Sequence, residues 1–143
     1  FTLITMTNLA MAIEAEEENF EEREKLLIDS IAEHAVQSGV EHPRVLFATH
    51  NLGKVYRQHD RFSQSEEVHR RNLPLLRKVI GSDHPRTLYA VGDLAASLCH
   101  QGRVEEAMVL FREFSSKAAE SIGPDHPQTI YYLNEMSECI ARE

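Results

Sequence analysis

The chain has 143 residues, 42% of them hydrophobic and 27% charged, with a formal net charge of −8. That length supports one domain with a real core, which would bury roughly 68–70% of the surface its unfolded form exposes. The acidic balance argues against nucleic acid as the main partner, since phosphate binding needs a basic face, and no apolar run approaches the ~20 residues of a membrane span.

Phe1-Thr2-Leu3-Ile4 opens the chain without the basic region of a signal peptide. The first residue is not Met, so the sequence reads as an excised piece of something longer. Leu9 and Ile13 mark a first helix, and Phe20, Leu26, Leu27 and Ile31 mark a second. Between and within them runs the densest charge block, Glu14, Glu16, Glu17, Glu18, Glu21, Glu22 and Glu24. It reads first as a solvated turn and first helical turn, where carboxylates complement the helix dipole, and second as a steering patch for a basic partner.

A junction follows, Gly39-Val40-Glu41-His42-Pro43, and it recurs as Gly81-Ser82-Asp83-His84-Pro85 and Gly123-Pro124-Asp125-His126-Pro127. His-Pro therefore stands at 42–43, 84–85 and 126–127, at intervals of 42 residues. Such a period means one supersecondary unit stacked on copies of itself. In each junction Gly can close a helix in the left-handed conformation, and Pro opens the next without losing a bond. Asp83 and Asp125 are expected to accept from the free N–H groups of that next first turn. The in-register histidines are expected to complete the inter-repeat turn.

Leu46, Leu52, Val55 and Tyr56 trace the third helix, and after the polar break His59-Asp60-Arg61 a fourth runs from Phe62 through Leu73, Leu76, Val79 and Ile80. Pro74 lies inside that fourth helix and is expected to bend or break it. Leu88, Val91, Leu94, Ala95 and Leu98 trace the fifth helix. After Gln101-Gly102-Arg103, Val104, Ala107, Leu110, Phe111 and Ile122 trace the sixth, and Ile130, Leu133, Met136 and Ile140 the last. The architecture expected is all-α: a single array with repeats at about 1–41, 42–83 and 84–125 and a final capping helix over 126–143. Arg23 and Ser65 stand where the third copy has the small Ala107, and Arg23 is expected to snorkel to an exposed edge.

Little in the chain speaks for chemistry. His42, His84 and His126 form a row spread over three repeats, too far apart to share one zinc ion, whose ligands must lie about 2.0–2.1 Å away. His50, His59, His69 and His100 lack metal-ligand spacing, so no metal site and no cofactor are expected. Cys99 and Cys139 make no disulfide framework; they read as free thiols on buried helix positions, suited to a reducing, cytoplasmic setting. No phosphate loop and no nucleophile motif appears, so no enzymatic role is expected.

Asn51-Leu52-Gly53-x-x-Tyr56, followed by Arg61-Phe62-x-x-Ser65, resembles a tetratricopeptide repeat (TPR). So does Leu94-Ala95 followed by Gly102-Arg103-Val104-Glu105-Glu106-Ala107 and Phe111. The long period, with Gly-Pro-Asp-His-Pro-x-Thr between copies, is similar to the kinesin-light-chain type. The resemblance covers essentially the whole chain, though the first copy lacks both the Tyr and the small residue. It implies a right-handed α-solenoid of about seven antiparallel helices, with a concave face lined by first helices that binds peptides or other proteins. By position, the groove would take Thr7, Asn8 and Met11 from copy one, His50, Asn51 and Lys54 from copy two, Tyr89, Asp93 and Ala96 from copy three, and Tyr131, Asn134 and Glu135 from copy four. An Asn amide suits such a surface because it can pair with both the N–H and the C=O of an extended peptide. Lys54 is the one basic group among these positions, which argues against a carboxylate clamp and for a neutral or basic segment. The alternative expectation is a self-associating or autoinhibitory segment of a larger signalling protein, for example one carrying a nucleotide-binding module. The apolar start around Phe1, Leu3 and Ile4 motivates it, since an open solenoid end invites homo-oligomers.

Overall fold

The computed structural model describes residues 3–13 and 16–142. Among these residues there are seven α-helices and no strand: α1 Leu3–Ala12, α2 Phe20–Ser38, α3 Pro43–Gln58, α4 Phe62–Val79, α5 Pro85–His100, α6 Val104–Ser121 and α7 Pro127–Ala141. A single 3-10 turn, Glu17–Asn19, leads into α2.

The repeat is built by its junctions. His42, His84 and His126 each hold an extended backbone as the N-cap, with Pro at the first helical position. Each imidazole Nδ1 accepts from the backbone N–H two residues on, Arg44 at 3.2 Å, Arg86 at 3.1 Å and Gln128 at 3.1 Å. The cap is therefore the histidine and not the expected aspartate. The ring reaches back over the proline to an orphan first-turn donor, while Asp83 pairs with Lys117 at 3.0 Å instead. Gly39, Gly81 and Gly123 precede these caps at φ of 91°, 97° and 123°, in the region that only glycine enters freely. In the last two junctions the Thr hydroxyl after Pro-Arg or Pro-Gln ties the turn, Thr87 to Gly81 O and Thr129 to Gly123 O, both at 2.7 Å.

Each helix packs on the next. First helices of adjoining repeats also pack together, α1 with α3, α3 with α5 and α5 with α7. The backbones of α2, α4 and α6 stay farther apart, and α4 reaches α6 through long side chains such as Arg77 and Glu113. A stack that is tight on one layer and splayed on the other curves toward the tight layer, so the first helices form the inner face. The core follows the stack. Leu27, Leu52, Val55 and Phe20 fill the first half, and Leu76, Leu88, Val91, Leu98, Phe111 and Phe114 fill the second. Buried polar ties cross it: Asn72 Nδ2 donates to Leu46 O at 2.9 Å, and Ser65 Oγ donates to Gly53 O at 2.8 Å.

Three expectations are corrected. The break expected at Pro74 does not occur: α4 runs as one helix through it, and the proline stands on the exposed side. Arg23 does not snorkel. It is 1% exposed, donating from Nε to Ala10 O at 3.0 Å and from Nη2 to Gln58 Oε1 at 2.8 Å, with Nη1 3.1 Å from His59 Nε2. The guanidinium replaces the small residue of the other repeats by bonding the chain it would otherwise crowd. Cys99 and Cys139 are not free thiols: they form a disulfide between α5 and α7, with Cα atoms 5.9 Å apart. Their separation of 40 residues is two short of the period, so adjoining first helices bring them face to face. Both positions are buried, as expected, but the argument from free thiols to a reducing compartment falls. No described helix is long and apolar enough to cross a membrane.

The acidic block is partly used. Glu17 binds Arg61 at 2.7 Å and Glu24 accepts from the Tyr56 hydroxyl at 2.7 Å. Glu16, Glu18, Glu21 and Glu22 are exposed, and Glu14, like Phe1, lies outside the described residues.

Candidate functional site

The inner face carries a cleft of about 360 Å³ lined by Ile4, Thr7 and Asn8 of α1, Arg44, Phe47, Ala48 and Asn51 of α3, and Arg86 of α5. Only first helices contribute, one from each of three successive repeats. The cleft unites three of the positions picked from the sequence, Thr7, Asn8 and Asn51, and puts both asparagines on one opening. The mid-helix register missed Arg44, Phe47 and Arg86. A signal for them existed: 44 and 47 lie seven and four residues before Asn51, on the same helical face, and Arg follows His-Pro in two of the three junctions.

Arg86 stacks its guanidinium over the Phe47 ring, 4.2 Å from the centroid. Neither Arg44 nor Arg86 forms an ion pair among the described residues, in contrast with the outer face. There Arg70 and Arg103 share Glu66 and Glu106 at 2.6–3.0 Å, and Arg77 grips Glu113 with two bonds of 2.6 and 2.9 Å. The cleft thus presents cationic groups that the fold itself leaves unneutralised.

The other positions scatter. Met11 is half-buried against the α1–α4 core, and Lys54 is half-buried on α3 and does not line the cleft. Tyr89 packs on the main core, 6.3 Å from Tyr132. Tyr131 and Asn134 are exposed on α7, and the Tyr131 hydroxyl accepts from Arg57. Glu135 lies 3.7 Å from His100. Ala96 and Asp93 are fully buried, so neither presents a surface to a ligand. Asp93 fails as a contact residue because it is already engaged: Arg57 Nη2 lies 3.0 Å from its Oδ1, and the Tyr132 hydroxyl donates to the same oxygen at 2.8 Å.

Electrostatics beneath the groove follow from that engagement. Burial works to raise the Asp93 carboxyl, but Arg57, the Tyr132 hydrogen bond and the other groups around it together outweigh it and hold the group below the ordinary range, ionised. Burial works to lower Arg57, and Asp93 together with Tyr131 and Tyr132 reverses the sign. Burial, then Asp93, pushes Tyr132 well up, so it remains a donor. Burial lowers His50, and burial with neighbouring His50 lowers His69 to about 3, so both imidazoles are neutral at neutral pH.

Comparison with known proteins matches the helical stack. A family model described as tetratricopeptide repeat matches residues 48–86 and 87–128, more than half of the chain. Two similar solved structures are the putative kinesin-light-chain, nearly identical TPR-like repeats of Podosopora anserina and a single-substitution variant of them. Both are 23% identical, with TM-scores of 0.83 and 0.84, and the match covers 96% of this chain and 64% of theirs. No curated protein sequence matches the chain. The chain belongs to the tetratricopeptide repeat family, with the fold of its kinesin-light-chain type.

Proposed function

We propose that this chain is a peptide-binding module whose inner cleft holds an extended segment carrying an acidic side chain. Tetratricopeptide repeats are in general protein-interaction modules, and their fold typically serves as a non-catalytic scaffold. The observation that carries the finer reading is the joint placement of Asn8, Asn51, Arg44 and Arg86 around one opening. Two amides can pair with a peptide backbone, and two arginines without ion-pair partners among the described residues can each take a carboxylate with two parallel bonds. Those arginines lie outside the mid-helix positions from which a neutral or basic segment was expected, and they set the sign of the partner. The net charge of −8 gives the rest of the chain, taken together, no general attraction for such a segment.

An array of extended peptides graded in acidic content tests this, with affinity read by fluorescence anisotropy. Acidic members should bind and weaken with added salt. Arg44→Glu with Arg86→Glu should abolish binding, and Asn8→Ala with Asn51→Ala should weaken it for all sequences alike. Binding that ignores peptide charge, or that survives the double arginine reversal, sinks the reading.

A second reading, self-association, draws on α7, where Ile130, Leu133 and Ile140 are 49%, 37% and 48% exposed. Light scattering over a concentration series decides it, and a monomer at every concentration rejects it.

A further inference from the structure

Beneath the groove, three helices aim donor atoms at one another. His50 stands on α3, His69 on α4 and Asp93 on α5, and one donor atom of each lies within 4.8 Å of the others. His69 is wholly buried, yet neither of its ring nitrogens has a hydrogen-bond partner among the described residues. His50 Nδ1 and Asp93 Oδ2 also lack one, although His50 Nε2 stands 3.3 Å from that oxygen. Four lone-pair or N–H sites without a hydrogen bond in one place are costly in a core, because each forfeits its hydration without replacement. The fold also makes room for the His69 ring. Gly53 faces it, and a Cβ there would come within 2.6 Å of Nε2.

The geometry points to a divalent-cation site of the zinc type, held by His50, His69 and Asp93. Two imidazoles and one carboxylate are a recurring set of three protein ligands for such an ion, with a fourth position open to water. A tetrahedral ion with ligands about 2.0–2.1 Å away needs its donors roughly 3.4 Å apart, so rotamer adjustments of about an ångström complete the shell. Arg57 occupies Oδ1 and leaves Oδ2 for the ion. The His50 side chain is 13% exposed, which gives the site its entry path from the groove side. The ion would clamp α3, α4 and α5 together, stiffening the second and third repeats. Arg57 works against it: the guanidinium adds positive charge beside the metal, and so limits affinity.

The test uses the oxidised, chelator-stripped full chain with Zn²⁺ alone in calorimetry and Co²⁺ alone in visible absorption. One equivalent of Zn²⁺ should bind saturably, and Co²⁺ should develop the intense visible bands of a four-coordinate site. His50→Gln, at the least buried ligand, should fold normally by circular dichroism and weaken Zn²⁺ by about 100-fold or more. His100→Gln, outside the cluster, should leave binding intact. Arg57→Gln should tighten Zn²⁺ by about tenfold, the effect of one unit charge roughly 6 Å from a divalent ion even at the dielectric of water. A merely structural role for Arg57 would not move affinity that way. No saturable Zn²⁺ binding, binding retained in His50→Gln, or weaker binding in Arg57→Gln overturns the assignment.

Discussion

Breaking the Cys99–Cys139 disulfide should lower stability by about 4 kcal/mol. The bond closes a loop of 40 residues, and the chain-entropy relation for a loop of that length gives a denatured-state penalty of about 13 cal/mol/K, or about 4 kcal/mol at 25 °C. With a urea m-value of about 2 kcal/mol/M, the midpoint should fall by about 2 M. The loss should also be uneven. Among the described helices the α7 backbone lies close to α5 and α6 alone, and terminal units of a stacked array open first. Urea unfolding with and without a reductant, followed by circular dichroism, reads the magnitude. Amide hydrogen exchange reads the location, and protection should drop in α7 before α3. Cys139→Ala is the matching variant, because Cys139 is fully buried and Ser would hide an unpaired hydroxyl there. Coincident unfolding curves after both thiols are shown to be reduced would refute the entropic argument, and thiols that titrate as free without reductant would refute the bond itself.

Gly53→Ala should destabilise the chain although it removes a mid-helix glycine. The new Cβ meets His69 at 2.6 Å, and overpacking of about 1–3 kcal/mol exceeds the roughly 1 kcal/mol gained in helix propensity. In a His69→Ala background the sign should reverse; urea midpoints of the four proteins check it. Arg23→Met should cost about 2–4 kcal/mol, since it deletes charge-assisted bonds to Ala10 O and Gln58 while keeping the stem, and exchange protection in α1 should fall most. Glu113 is held below the ordinary carboxylate range first by its bond to Arg77. The folded state therefore binds fewer protons than the unfolded one, so stability is present above the unfolded value of about 4.3 and lost as pH drops through the folded value. Glu113→Gln should flatten the acid limb of a stability-versus-pH curve, and an unchanged limb would refute the pairing.

The residues themselves determined the helices, their number and their stacking. His-Pro at a 42-residue interval, glycine before it and apolar positions three and four apart after it are local signals, each acting within about one helical turn. Asn8 and Asn51 came from the resemblance to tetratricopeptide repeats, counted by position along the first helices, and both line one cleft. Only the tertiary structure decided which residues meet across repeats. Arg23 looked like a surface residue until His59, Gln58 and Ala10 O surrounded it. Asp93 looked like groove and is core, and His50 and His69 showed no ligand spacing because they stand on different helices. Cys99 and Cys139 looked like separate thiols and are one bond. The helix period says which face a side chain takes, but its neighbours there come from other repeats, and their distances follow from how the stacked helices pack.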